Sequence, residues 1–274
     1  MTHKPLHIAF IGFGELGQRF ARDLAKQQGV TLSAFDLLLS NRIRGAALRD
    51  AAAWMDVKLG QTAAEATKDA DIVFSAVTAD QTATVAKGAA RYLACGQMFV
   101  DLNSASPETK RKAAEGFDGT GVHYVEGAVM GAVKGPGITV EILAGGPRAD
   151  DAANVLNSVG MDIKPVAKAY GKASAIKLCR SIVIKGLEAL MVDCKAATGH
   201  WNVETEVYRS LAATYPSIDW PKLADDMGER VATHGIRRAA EMREAADMLK
   251  DMGLAPDLAS AVAEAQHRGA RAKA

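Results

Sequence analysis

"PLHIAFIGFGELG", residues 5–17, decides the reading of this chain. A continuous apolar run of strand length, Pro5 to Ile11, meets three glycines, Gly12, Gly14 and Gly17, in a G-x-G-x-x-G arrangement. From about Leu16 to Lys26 the apolar residues then recur at helical spacing. Strand, tight turn and helix in that order open a βαβ unit. The three glycines act differently. The first permits the turn, the second lets backbone amides approach a pyrophosphate, and the third lets helix and strand pack closely. Unpaired N–H groups at the helix start attract the anion.

The motif gains weight from the next strand. "VTLSAFD" (30–36) reads as that strand and ends on Asp36, 19 residues after Gly17. A carboxylate there accepts hydrogen bonds from adenosine ribose hydroxyls and repels a 2′-phosphate. NAD is therefore the favoured cofactor. NADP stays as the alternative, because Arg42 and Arg44 lie just downstream, where a folded-back loop would hold a phosphate. Phe13, Glu15 and Leu16 complete the cofactor-binding turn with the three glycines and Asp36.

The alternation continues. "RGAALRDAAAWM" (44–55) is helical in period, "ADIVFSAV" (70–77) strand-like, "QTATVAKGAARYL" (81–93) helical and "QMFVDL" (97–102) strand-like. Further strands are expected at "GVHYVEGAV" (121–129), "ITVEILAGG" (138–146) and "DIKPVA" (162–167), with a helix from about Arg148 to Val159. Apolar, β-branched strands between helices imply a parallel sheet covered on both faces. After residue 168 no strand-like alternation remains. One long helical segment reaches about Gly199, and others fall near 202–213, 222–251 and 256–269. The expected fold class is α/β: a Rossmann-type doubly wound sheet in a dinucleotide-binding domain, residues 1–168, followed by an all-α C-terminal domain, residues 169–274. No internal repeat is visible, and no low-complexity stretch apart from the closing "RGARAKA".

Bulk composition narrows the partners. In 274 residues, 33 lysines and arginines nearly balance 32 aspartates and glutamates, so no broad basic surface for nucleic acid or anionic lipid is expected. A small-molecule substrate is the default. Cys95, Cys179 and Cys194 are odd in number and lack metal-ligand spacing, and no metal site is expected; they read as reduced, buried packing residues. The N-terminus runs into a strand without an apolar signal segment, and the remaining chain holds no run of 18 apolar residues. The expectation is a cytoplasmic protein with no membrane partner.

Three more stretches, with the glycine turn, resemble the β-hydroxyacid dehydrogenase superfamily, which includes 3-hydroxyisobutyrate dehydrogenase and 6-phosphogluconate dehydrogenase. "DLNSASPETK" (101–110) is similar to the family's D-x-S-T-x-S-P segment. "EGAVMGAV" (126–133) corresponds to its D-A-P-V-S-G-G substrate loop, and "GKASAIKLCRS" (171–181) to the G-x-G-x-x-x-K-x-x-x-N segment that opens its long interdomain helix. The resemblance implies that Lys177 is the catalytic lysine with Ser181 one turn on, that Ser104 contacts the nicotinamide ribose and the substrate, and that Met130 and Gly131 belong to the substrate loop. It also implies a cofactor-binding edge at Ala76, Val77 and Gln81, and a homodimer formed through the helical domain.

Lys177 admits a physical argument of its own. Ser174, Lys177, Ser181 and Lys185 follow helical spacing and form one polar stripe. Such a stripe is either the wet side of a helix or, here, a face turned into a ligand cleft. Alcohol oxidation needs a base for the hydroxyl proton. A lysine serves when desolvation and nearby positive charge, here Arg180, disfavour its ammonium form.

Departures from the family pattern bear on the substrate. The loop serine is replaced by Met130, the second glycine by Ala132, and the asparagine one turn after the lysine by Ser181. That predicts a larger, more apolar pocket. The family's lysine near the end of the chain falls at Ala240; instead His234, Arg237, Arg238 and Glu241 follow helical spacing on one face, where the arginines would bind a substrate carboxylate or phosphate or join an ion network. The reading is an oxidoreductase of a β-hydroxyacid or related hydroxyl compound. Imine reduction and a non-catalytic NAD-binding scaffold are the alternatives.

Overall fold

The computed structural model describes residues 4–271; the ends of the chain, including the last residues of "RGARAKA", lie outside them. It divides into two compact units, residues 1–177 and 178–274.

The first unit is built on an eight-stranded sheet. Its strands are β1 (Leu6–Ile11), β2 (Val30–Phe35), β3 (Val57–Leu59), β4 (Ile72–Ser75), β5 (Met98–Asp101), β6 (His123–Val129), β7 (Glu141–Gly145) and β8 (Asp162–Ala167). Their order is β3-β2-β1-β4-β5-β6-β7-β8, parallel throughout except for the antiparallel β6–β7 pair. The order reverses direction between β1 and β4. In a doubly wound sheet that reversal opens a crevice beyond the strands' carboxyl ends, and the glycine turn stands there.

Side-chain alternation along β1 explains why helices cover both faces. Ile8 and Phe10 join a core with Phe20, Ala21 and Leu24 of α1 (Glu15–Leu24) and Leu48 and Ala52 of α2 (Arg42–Trp54). Ala9 and Ile11 join the opposite core with Ala86 and Ala89 of α4 (Thr82–Tyr92) and Ala113 and Ala114 of α5 (Pro107–Glu115), which come after the short α3 (Ala63–Thr67). On the first face α6 (Ala149–Ser158) adds Ala152 and Leu156. Small alanines on α4 and α5 let the helices approach the sheet.

All the expected strands form. Three elements go beyond the sequence reading. β3 and α3, of three and five residues, are too short to show a period. α5 carries ordinary helix-start signals, the Ser106 cap and Pro107 in the first turn, that periodicity alone does not pick up.

α7 (Lys172–Trp201) runs from the first unit into the second, which continues with α8 (Glu204–Thr214), α9 (Trp220–Asp251) and α10 (Asp257–Arg271). Trp220 is buried at the α9 entrance behind the Asp219 cap and packs with Met191, Tyr208 and Met227. No described helix is long and apolar enough to cross a membrane. The cysteines depart from expectation: all three are free, but Cys95 and Cys179 are exposed and Cys194 is half-buried, so none is a core residue.

Candidate active site

The glycine turn is shaped by backbone crowding. Gly12 has φ +93°, and a Cβ on it would stand 2.3 Å from the Ala76 carbonyl oxygen. A Cβ on Gly17 would stand 2.5 Å from the Gly12 carbonyl oxygen, so α1 closes directly onto the turn. Gly14 differs, for nothing lies within 4 Å of its Cβ position. No side chain caps α1. An open glycine beside an uncapped helix start makes a cradle whose backbone N–H groups suit an anion such as a pyrophosphate.

Asp36 is fixed at the mouth of this cradle. One carboxylate oxygen accepts the Phe13 N–H at 2.8 Å and the other the Leu38 N–H at 2.8 Å. Phe13 offers only its backbone, since its ring lies in the core. Glu15 is exposed and Leu16 half-buried. Across the crevice, the Val77 N–H donates to Asn103 Oδ1 at 2.7 Å, and Asn103 Nδ2 donates to Ser75 Oγ at 2.8 Å. Asn103 thus ties the ends of β4 and β5 together and sets the edge formed by Ala76 and Val77. Its role is absent from the sequence reading, although a polar residue directly after a buried strand is a visible signal. Gln81 turns its amide to Asp80 at 2.9 Å. Ser104 Oγ is buried and has no hydrogen-bond partner among the described residues. These features fit a dinucleotide.

A buried brace holds the loop that carries Ser104. Lys110 and Asp101 are both fully buried, and Lys110 Nζ reaches the Asp101 carboxylate and its carbonyl oxygen, each at 2.9 Å. The Tyr124 hydroxyl donates to the other carboxylate oxygen at 2.8 Å, and the Asn103 N–H to the first at 3.0 Å. Burial, followed by the Asp101 charge, pushes the Tyr124 phenol well above its ordinary range. Both Asp101 oxygens are therefore supplied with donors inside the protein.

The substrate-loop residues lie beyond β6. Met130 packs on Ala128, Leu143 and the α7 residue Ala173. Gly131 is exposed, and a Cβ on it would meet only Val140 at an ordinary 3.5 Å, so the fold itself does not require glycine there. The rest of the loop is held by α1: Arg19 donates to the Lys134 and Gly135 carbonyls, and Asp23 accepts the Ile138 N–H at 3.2 Å. One helix thus supports both the cofactor turn and this loop. Lys177 is half-buried on the second turn of α7, three residues after the buried Ser174.

In the second unit the polar stripe is not a wet face. Ser181 and Lys185 are buried, Lys185 Nζ donates to Ser181 Oγ at 2.9 Å, and it pairs with Glu241 at 2.6 Å. Arg238 pairs with the fully buried Glu188 at 3.0 Å, and Gln266 Nε2 bonds both Glu188 and the Lys185 carbonyl at 3.1 Å. Arg237 is exposed while Arg238 turns inward, and of the two roles their spacing leaves open, anion binding or an ion network, Arg238 takes the network. His234 is half-buried on the same helix. Helical spacing alone does not show that α7 brings a lysine and a glutamate against α9.

Residues 7–170 match the family model described as the NAD binding domain of 6-phosphogluconate dehydrogenase, and residues 199–269 match a domain of unknown function, DUF1932. A conserved hypothetical protein from Sinorhizobium meliloti 1021 has a solved structure 36% identical, with TM-score 0.83 over 99% of this chain and 90% of that one. The 3-hydroxyisobutyrate dehydrogenase of Pseudomonas aeruginosa is 27% identical over 97% of this chain and 89% of its own. The 2-(hydroxymethyl)glutarate dehydrogenase of Eubacterium barkeri is 32% identical over 66% of this chain and 60% of its own length. An imine reductase from Streptomyces aurantiacus, at 23% identity and TM-score 0.55, shares the fold alone. A matched dinucleotide domain spanning more than half the chain, on a sheet of the same class, makes this chain a member of the β-hydroxyacid dehydrogenase superfamily, a nicotinamide-dependent oxidoreductase with a 6-phosphogluconate dehydrogenase-type NAD-binding domain.

Proposed function

We propose that this enzyme transfers hydride between NAD and a β-hydroxyacid or a related hydroxyl compound, with Lys177 as general acid–base. The observation that carries the reading is the pairing of an open, uncapped glycine cradle with a fixed Asp36 carboxylate at its mouth. Gly12, Gly14, Gly17, Asp36 and the edge at Ala76 and Val77 would hold the dinucleotide, and Ser104 Oγ would meet the nicotinamide ribose or the substrate. The bound cofactor supplies or accepts the hydride.

The chain's own residues manage the proton. In oxidation the neutral Lys177 amine takes the hydroxyl proton; in reduction its ammonium returns a proton to the carbonyl oxygen. Ser181 Oγ already accepts from Lys185, which leaves its own proton to donate one turn along the helix from Lys177. Met130, packed on Ala128 and Leu143, gives the loop an apolar wall where the family pattern has a serine, which favours a substrate with apolar bulk on that side. The retained lysine favours a hydroxyl or carbonyl substrate over an imine. NAD is preferred over NADP because a 2′-phosphate would face the Asp36 carboxylate.

Steady-state absorbance of reduced nicotinamide, over a panel of hydroxyacids and imines with each cofactor, tests this. The expected outcome is turnover of a hydroxyacid with the higher kcat/KM for NAD. Lys177→Ala should lower kcat by about 10²- to 10⁴-fold, the range for a positioned acid–base group, with cofactor affinity retained. Near-normal turnover in that variant removes the lysine from the chemistry.

A further inference from the structure

Glu126 is the acidic residue of the strand "HYVEGAV" and is fully buried. Its carboxylate is spent on the start of α7. One oxygen accepts the Gly171 N–H at 2.5 Å and the other the Ser174 N–H at 2.6 Å, across 45 and 48 residues of sequence. The Ala175 N–H bonds the Gly171 carbonyl at 2.9 Å, so Gly171 is the cap position and Ser174 the third helical residue. These are the two amides that a capping box satisfies with side chains of the helix itself.

Here the helix has no side chain of its own at the cap position. Gly171 has φ +88°, and a Cβ on it would press within 3.1 Å of Pro107. The cap is supplied by the sheet instead, and the surroundings are cut to admit it. A Cβ on Gly145, the partner of Glu126 in β7, would lie 2.8 Å from the carboxylate oxygen. On its other side Glu126 is in register with Asp101 of β5, the centre of the buried brace. Tyr170, just before the cap, donates its hydroxyl to the Tyr124 carbonyl at 3.2 Å.

We propose that Glu126 is the positioning residue for Lys177: its carboxylate anchors the first turn of α7 to the sheet that carries the dinucleotide turn and so fixes the height and rotation of the lysine relative to that turn. This rests on the assignment of Lys177 to the chemistry. Ser174 and Lys177 are three residues apart on one helix face, so an anchor at Ser174 acts within one turn of the amine. Proton transfer is sensitive to displacements of about 1 Å, and the Glu126 carboxylate holds the first turn of α7 against them.

The test compares Glu126→Gln, Val125→Ala, Lys177→Ala and the parent enzyme. Glutamine keeps the volume, but its NH₂ cannot accept a backbone N–H, so one of the two amides loses its acceptor. Hydrogen exchange across residues 168–178 should rise tenfold or more in Glu126→Gln while peptides over β1 and α1 stay unchanged. Its kcat should fall about 10- to 100-fold, with cofactor Kd within twofold of the parent. Val125→Ala loosens the same strand through the core and should keep its kcat, which separates positioning from lost stability. If Glu126→Gln does not fold, Glu126→Asp, which keeps the charge with a shorter reach, carries the same comparison. Parent-like exchange, or raised exchange with parent-like kcat, overturns the proposal. Turnover surviving in Lys177→Ala overturns it too, and that failure is told apart because it appears in a different variant.

Discussion

Tyr124 couples the buried brace to pH. Its phenol is held neutral by burial and by the adjoining Asp101 carboxylate, so its folded pKa lies well above the ordinary value of 10.0. A raised folded pKa means that the native state holds the proton more tightly than the unfolded chain. The resulting stability is complete below pH 10 and is lost as pH climbs above it. Tyr124→Phe should cost about 1–2 kcal/mol at neutral pH, because one oxygen of Asp101 loses its donor. It should also flatten the alkaline decline. Thermal melts from about pH 8 to pH 11.5 check both; an unchanged alkaline limb would show that the Tyr124 phenol ionises alike in the folded and unfolded chain.

At the scale of elements, the turn between β1 and α1 separates stability from binding. A methyl group on Gly17 would collide with the Gly12 carbonyl, so Gly17→Ala should lower Tm even without cofactor. A methyl group on Gly14 meets nothing, so Gly14→Ala should keep the parent Tm and lose the Tm increase that NAD produces in the parent. Melting curves with and without NAD make the comparison. A Gly14→Ala protein that keeps the full NAD-induced increase would mean that the open side of the turn does not face the pyrophosphate.

For the whole molecule, the second unit leaves apolar surface uncovered. Val183 and Leu190 of α7, seven residues apart, are each 68% exposed, and Trp201 is 73% exposed. A helix face of this kind is normally covered, and a second copy of the chain is the simplest cover. Light scattering at micromolar concentration should give about twice the 28.9 kDa of one chain, and Leu190→Glu should shift it toward the monomer. A parent protein that scatters as a monomer removes the dimer.

The dinucleotide half of the protein is legible in its sequence because its determinants are local. Strand runs, the G-x-G-x-x-G turn and Asp36 sit close together in the chain, and each constrains backbone that the next residues must continue. The long helix carrying Lys177 is legible for the same reason: its period is its own. Glu126 at Gly171, Lys110 beneath Asp101, Asn103 between two strand ends and Lys185 against Glu241 are not. Each joins residues that no spacing rule connects, and a buried charge chooses its partner by the desolvation it must offset, a quantity that exists only once the chain has packed. The sequence alone determined the long strands and helices and the place of the glycine turn between β1 and α1, because those signals are local. Tertiary structure decided which charged groups become buried braces, because only packing settles what is removed from water.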